Sequence, residues 1–290
     1  MSTFATFALA GVGNIGTFIA NEFLARKAAG QINRVVILTR SSTDDEKNKE
    51  FKRKGAEVIT IDYSSKASLI SALAGVAVVI STINLGALDS QFSLIDAAKE
   101  AGAKLFVPSE FGTPTDDIMN GPASPKRKAL EKLKKLDLPY ALVYNGAFSD
   151  TIFSAKLGLD PVGGEVTVGG DGSAPVSFTS RLDIARYVAY VLTEISTKKL
   201  EWRKFQIEGD RTSFNEVYEQ YSAKTGNKID VSYHSIAELE ETVKKNPGDV
   251  KSRLLLIFAH GDGVAGKKED VTNGEYPGWH PKTVLDILAP

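Results

Sequence analysis

The chain has 290 residues, a formal net charge of −1 and no cysteine. That length holds one large α/β unit with a smaller appendage. The near-zero charge gives no bulk attraction for nucleic acid, and the missing thiols exclude disulfides, thiolate metal sites and a cysteine nucleophile.

The opening MSTFATFALAGVGNIG has no basic n-region, and its short apolar run stops at a glycine cluster, unlike a secretory signal. No window reaches the length of a membrane span. The expectation is a cytoplasmic, globular protein, monomer or homodimer, whose partner is a small molecule and neither nucleic acid nor membrane.

Short β-branched or apolar runs then alternate with helical patterns. Strands are predicted at Thr6 to Ala10, Val35 to Thr39, Glu57 to Ile61, Val76 to Ser81, Lys104 to Val107 and Tyr140 to Val143. Helices are predicted from Ile15 to Arg26, Asp45 to Lys54, Ser65 to Ala74, Asp89 to Ala101 and Pro125 to Leu136. This rhythm means βαβ units, hence an α/β fold of the Rossmann type, with a doubly wound parallel sheet over residues 1–150. Residues 151–290 read as a smaller, mixed α+β substrate-binding region, part of which returns to the first sheet. There VTVGGDGSAPVSF reads as two strands around a Gly-Asp-Gly turn. SRLDIARYVAYVLTEI is an amphipathic helix led by Ser180, with Asp183 in capping-box position. TSFNEVYEQYSAKTG and SIAELEETVKKN read as helices, and Lys204 to Glu208 and Ile229 to Tyr233 as strands.

GVGNIG places Gly11, Gly13 and Gly16 in the G-x-G-x-x-G pattern, after a strand and before an amphipathic helix. The first glycine permits the turn, the second lets a pyrophosphate approach the backbone, and the third lets the helix pack on its strand. Asn14 and Ile15 lie in the same loop and count among the dinucleotide contacts. The second strand ends at Arg40, where such folds inspect the adenosine ribose. An acid there would select NAD, whereas a cation followed by Ser41 and Ser42 suits the extra phosphate of NADPH. Lys47 or Lys49 either adds a second cation or is a solvated helix residue, and Asp62 either reaches the adenine or caps the next helix. Ser81 to Asn84 ends the fourth strand, at the edge of the sheet where ligands of these folds sit.

PASPKRKALEKLKKLDLPY carries six cations in ten residues: Lys126, Arg127, Lys128, Lys132, Lys134 and Lys135. Ser124 and Pro125 signal a helix start, as cap and first helical residue. At about 100° per residue, Lys128, Lys132 and Lys135 share a polar face flanked by Arg127 and Lys134, while Lys126 points with Ala129, Leu130 and Leu133. An inward ammonium in the first turn opposes the helix dipole and loses hydration, so its pKa falls. Lys126 is then either a proton-exchanging group or a lysine that snorkels out or pairs with a carboxylate such as Glu110.

GVGNIG, ILTR, VVISTIN, FVPSEFG, the lysine fourteen residues ahead of the tyrosine of LPY, FQIEGDRTSFNEV and YPGWHPKTV together resemble the isoflavone reductase-like branch of the NmrA-like, atypical short-chain dehydrogenase family. The wording of the late motifs leans toward fungal members. The resemblance implies an NADPH-dependent oxidoreductase acting on a small phenolic substrate with one lysine as acid/base, and that lysine corresponds to Lys126. It also matches Arg40 to the cation on the 2′-phosphate and Lys49 to its second cation. Thr82, Pro108 to Phe111 and Asn145 to Phe148 would lie near the nicotinamide, and Phe111, Phe148, Ile152 and Phe153 would line or roof the substrate. Tyr144 is either a hydrogen-bonding assistant or packing. The Tyr-x-x-x-Lys pair of typical short-chain dehydrogenases is absent, since none of the nine tyrosines has lysine four residues on. Plant members commonly carry an arginine where this chain has Leu130, and Ser-Asn-Cys-Phe where it has Asn145 to Phe148. The alternatives are a non-catalytic NADP(H)-sensing regulator of the NmrA type, or a quinone reductase that needs little from the lysine. His234, His260 and His280 lack metal spacing, and Asp171 between glycines is turn chemistry.

Overall fold

The computed structural model describes residues 3–42, 44–116, 118 and 121–290. The chain groups into two compact units. The first comprises Met1–Phe111, Thr115–Val143 and Ala185–Phe205, and the second Gly112–Pro114, Tyr144–Ile184 and Gln206–Pro290.

The first unit opens with β1 (Thr6–Ala10), α1 (Gly16–Ala28), β2 (Arg34–Thr39), α2 (Glu46–Arg53) and β3 (Glu57–Thr60). It continues through α3 (Lys66–Ala72), β4 (Val78–Ser81), α4 (Ser90–Glu100), β5 (Leu105–Val107), α5 (Ser124–Lys135) and β6 (Ala141–Tyr144). Five strands pair in the order β3-β2-β1-β4-β5, every pair parallel. From β1 the chain steps outward through β2 to β3, then returns to place β4 on the other side of β1. With right-handed crossovers, this reversal puts helices on both faces and opens a crevice at the carboxyl ends of β1 and β4. Strands covered on both faces must be apolar throughout, and β4 and β5 are buried along their whole length. A parallel bridge from Phe106 to Tyr140 carries the sheet on to β6. The predicted strands and helices of this half agree with these elements to within two residues at each end.

One local expectation fails. Ser124 does not cap α5: the helix begins at Ser124, the cap position is Ala123, and no side chain caps it. A turn in which Ser124 N–H donates to Gly121 O at 3.0 Å has already wound the chain, so the serine lies inside the first turn.

The rest of the chain forms β7 (Ala147–Phe148), α6 (Ser149–Ile152), β8 (Glu165–Gly169), β9 (Val176–Thr179), α7 (Arg181–Glu194), α8 (Thr197–Leu200) and β10 (Arg203–Gln206). There follow β11 (Asp210–Thr212), α9 (Phe214–Thr225), β12 (Asp230–His234), α10 (Ile236–Lys245), α11 (Val250–Ala259) and α12 (Val284–Leu288). β10 pairs with β6, and Arg203 N–H donates to Tyr140 O at 3.2 Å within the first unit. The Gly-Asp-Gly stretch joins two strands as expected, but they are not partners. β8 runs parallel to β12, whereas β9 lies between β11 and β7. Gly169 explains part of this: a Cβ there would lie 2.4 Å from Leu255 O, so α11 sits against the end of β8. α11 and the two-residue β7 carry no turn or period signal that sequence reading picked out.

The core of the second unit collects Val166, Val168, Val176, Phe178, Phe214, Tyr218 and Phe258. Phe214 packs edge-on against Phe178, with ring centroids 5.7 Å apart. Ahead of it, Ser213 and Glu216 form a reciprocal capping box, and Gly226 closes α9 in the left-handed region. Ser213→Ala should therefore lower stability by about 1 kcal/mol, read as an earlier urea midpoint with an unchanged slope.

Candidate functional site

The three glycines of the first loop answer to different demands. Gly11 has φ +94°, and a Cβ there would lie 2.9 Å from Thr82 O. At Gly16 it would lie 2.1 Å from Gly11 O and 2.3 Å from Thr82 Oγ1. Both positions are forced by the close approach of β1, α1 and the end of β4. Around Gly13 there is nothing within 4 Å of an added Cβ, and its φ is not in the left-handed region. The protein's own packing does not ask for glycine there. The open space lies beside the start of α1, whose cap position, Ile15, supplies no side-chain acceptor. A loop open at its middle glycine, at a helix start with no side-chain cap, fits the pyrophosphate of a dinucleotide. Thr82 Oγ1 donates to Gly11 O, and Thr17 Oγ1 lies 2.9 Å from Val12 O and 2.7 Å from Gly13 O. These hydroxyls brace the loop, and Thr17 escaped the sequence reading because it looks like an ordinary helix residue.

Arg40 is exposed just past β2. It makes no hydrogen bond or ion pair among the described residues. Its charge acts on Tyr63, whose phenol burial pushes up to about 12 against that opposing influence. The serines beside it are held by Asn48, only 2% exposed, whose Nδ2 donates to Ser41 Oγ at 3.1 Å and to Ser42 O at 2.8 Å. Sequence reasoning missed Asn48, hidden between two lysines in a charged helix. Those lysines diverge. Lys49 pairs with Glu46 at 2.8 Å on the surface of α2, whereas Lys47 Nζ donates to Val12 O in the glycine loop. Asp62 accepts from Ser64 N–H at 2.9 Å, and α3 is capped by Ser65.

Of the six cations, Lys128, Lys134 and Lys135 are exposed, Arg127 pairs with Glu131 at 2.9 Å, and Lys132 pairs with Asp96 at 2.7 Å. Lys126 alone turns inward, its side chain 14% exposed. Nζ donates to Glu110 O at 2.5 Å and lies 3.8 Å from Glu110 Oε2. Burial pulls the Lys126 pKa below the usual lysine value, and the nearby Glu110 charge resists that fall. Glu110 sits in a tight turn in which its N–H donates to Pro108 O at 2.8 Å, and Phe111 follows at φ +35°. Ser109 anchors the same turn, donating through Oγ to Ile83 O at 2.8 Å and through N–H to Gln91 Oε1 at 2.7 Å.

Asn145, Phe148 and Phe153 belong to the second unit. Asn145 is fully buried; its Nδ2 donates to Gly146 O at 2.9 Å, and its Oδ1 has no partner among the described residues. Phe148 pairs with Thr179 in β7 and β9. Phe153 packs on the aromatic core, 5.4 Å from Phe178 and 5.9 Å from Phe214. Tyr144 is buried. Among the described residues no group of His, Cys, Asp or Glu is placed to hold a metal, and all three histidines are exposed.

The NmrA-like family matches residues 7–267. The chain belongs to that family. Among curated relatives of this NmrA-like protein, an isoflavone reductase homolog A622 from Nicotiana glauca is 30% identical over 287 residues, covering 92% of this chain and 91% of its own. A phenylcoumaran benzylic ether reductase, Pyrc5, from Pyrus communis is 30% identical over 284 residues, covering 92% and 88%. These relatives are plant proteins, which gives the fungal leaning of the late motifs no support. Among solved structures, AtPrR2 with NADP+ and (+)pinoresinol superposes at a TM-score of 0.84 and 21% identity over 100% of both chains. The leucoanthocyanidin reductase of Vitis vinifera in binary complex with NADPH does so at 0.82 and 21% over 97% of both. The fold of the NmrA-like protein is accordingly the one read from its sequence.

Gly16→Ala should cost roughly 3 kcal/mol or more, because both clashing atoms belong to packed chain. Gly13→Ala should stay within about 0.5 kcal/mol. Equal losses of thermal stability in the two variants would contradict the division of labour among the glycines.

Proposed function

We propose that this NmrA-like protein is an NADPH-dependent reductase of a small phenolic substrate, with Lys126 as its acid/base. The observation that carries the reading is the Lys126 ammonium, drawn inward at the first turn of α5 onto a main-chain carbonyl while five neighbouring cations stay at the surface. Burial and the helix dipole both oppose a charge there, and such opposition is expected where proton exchange is the task. The relatives named as isoflavone and phenylcoumaran benzylic ether reductases support the same class.

In this reading the glycine loop and the start of α1 hold the pyrophosphate, and Arg40 takes the 2′-phosphate. Lys47 is the better second cation than Lys49, because it already reaches the glycine loop. The dinucleotide supplies the hydride. Lys126 gives a proton to a substrate oxygen as charge develops there, and its lowered pKa brings that transfer nearer to neutral pH. The turn at Pro108 to Phe111 keeps the ammonium in place.

Lys126→Ala should abolish turnover against a panel of phenolic ethers, enones and quinones while leaving NADPH affinity within about twofold. Turnover of quinones surviving in that variant would favour simple hydride delivery, and no turnover by the unaltered protein would favour a dinucleotide sensor. Arg40→Ala and Lys47→Ala should each weaken NADPH by about 10-fold or more, since a charge-assisted contact is worth roughly 1.5–3 kcal/mol, and Arg40→Ala should leave NADH binding nearly unchanged. Calorimetric titration with both nucleotides reads this directly.

A further inference from the structure

Among the described residues, both groups that face the Lys126 ammonium come from Glu110. Glu110 presents its main-chain oxygen at 2.5 Å and its carboxyl Oε2 at 3.8 Å. The carboxyl is as deeply buried as a core side chain, Glu110 being 3% exposed, and Thr115 Oγ1 holds its Oε2 at 2.6 Å. A volume that needed only filling would be filled more stably by an apolar residue, because a buried acid is costly even when paired. The turn around Glu110 is fixed at both ends, by its bond to Pro108 O and by the bond from Phe111 N–H to Val143 O at 3.0 Å.

We infer that Glu110 is the positioning residue of Lys126: its carbonyl fixes where the ammonium sits, and its carboxyl decides how far into the alkaline range Lys126 keeps its proton. This rests on the acid/base reading of Lys126 for its catalytic meaning, though not for its test. The groups facing the carboxyl are Lys126 on α5, Thr115 and Asp116 in the loop after the turn, and Lys204 on β10. Asp116 and Lys204 pair with each other at 3.0 Å. Burial pushes the Glu110 carboxyl up and the Lys126 ammonium down, and each charge works against the shift of the other. The two therefore titrate as a unit. Ammonium beside carboxylate and amine beside carboxylic acid carry the same single proton and the same zero net charge.

Competitive acetylation of the lysines by acetic anhydride, followed peptide by peptide in the mass spectrometer from neutral to alkaline pH, reads the protonation of Lys126 without any substrate. Glu110→Gln removes the carboxylate and should move the Lys126 midpoint to lower pH by about 1–3 units. Glu110→Asp, which keeps the charge but draws it back from the ammonium by one methylene, should move it the same way by less. NADPH affinity should be unchanged in both. For any substrate found, the alkaline limb of kcat/KM should shift with the midpoint. An unmoved midpoint in folded Glu110→Gln overturns the inference, and should that variant fail to fold, an unmoved midpoint in Glu110→Asp does so. Turnover surviving Lys126→Ala while the midpoint moves as expected would sink the acid/base reading and leave the pairing intact.

Discussion

The first unit depends on one backbone approach. Gly11, Gly16 and Thr82 come close enough that a single added methyl at Gly16 would overlap a carbonyl oxygen. The approach ties the end of β1 to the start of α1 and to the end of β4, where strand order reverses and the sheet opens a crevice. Its nearest atom is the main-chain oxygen of Gly11, which no rotamer change moves away. The middle glycine takes no part in this contact, and for that reason its bare face is available to a ligand.

A second constraint is electrostatic and runs against local stability. Lys126 would be cheaper in water, as the other five cations of its stretch are. It is held instead by Glu110, a residue equally ill-suited to burial, and the main-chain oxygen in between is the firmest of the contacts. Each of the two groups lowers the other's desolvation penalty without cancelling it, so both stay away from their ordinary pKa ranges. A buried pair of this kind adds little to stability.

The late motifs have a different use. Glu208 accepts from Ser177 Oγ at 2.6 Å and from Arg211 Nε at 2.7 Å, while Trp279 Nε1 donates to Asp183 O at 3.2 Å and Lys282 N–H to Asp183 Oδ2 at 3.1 Å. A Cβ at Gly209 would lie 2.8 Å from Lys282 O. FQIEGDRTSFNEV and YPGWHPKTV are thus knitted together within the second unit.

Hydrophobic period and turn chemistry made the βαβ half legible, since buried parallel strands must be apolar along their length and amphipathic helices must repeat every 3.6 residues or so. The same period separated Lys126 from its neighbours, because a helical wheel needs only sequence spacing. Pairing across the second unit was not legible: β8 and β9 look like a hairpin until α11 and β12 are present to compete for β8. Where the two lysines of α2 reach was decided likewise in space: Lys47 goes to the glycine loop and Lys49 to Glu46. Sequence by itself determined which residues turn inward and which stretch can open a dinucleotide loop, for these follow from local spacing. Only the tertiary structure decided which groups meet, because the 3.8 Å between Glu110 and Lys126 is set by a turn and a helix that no local rule brings together.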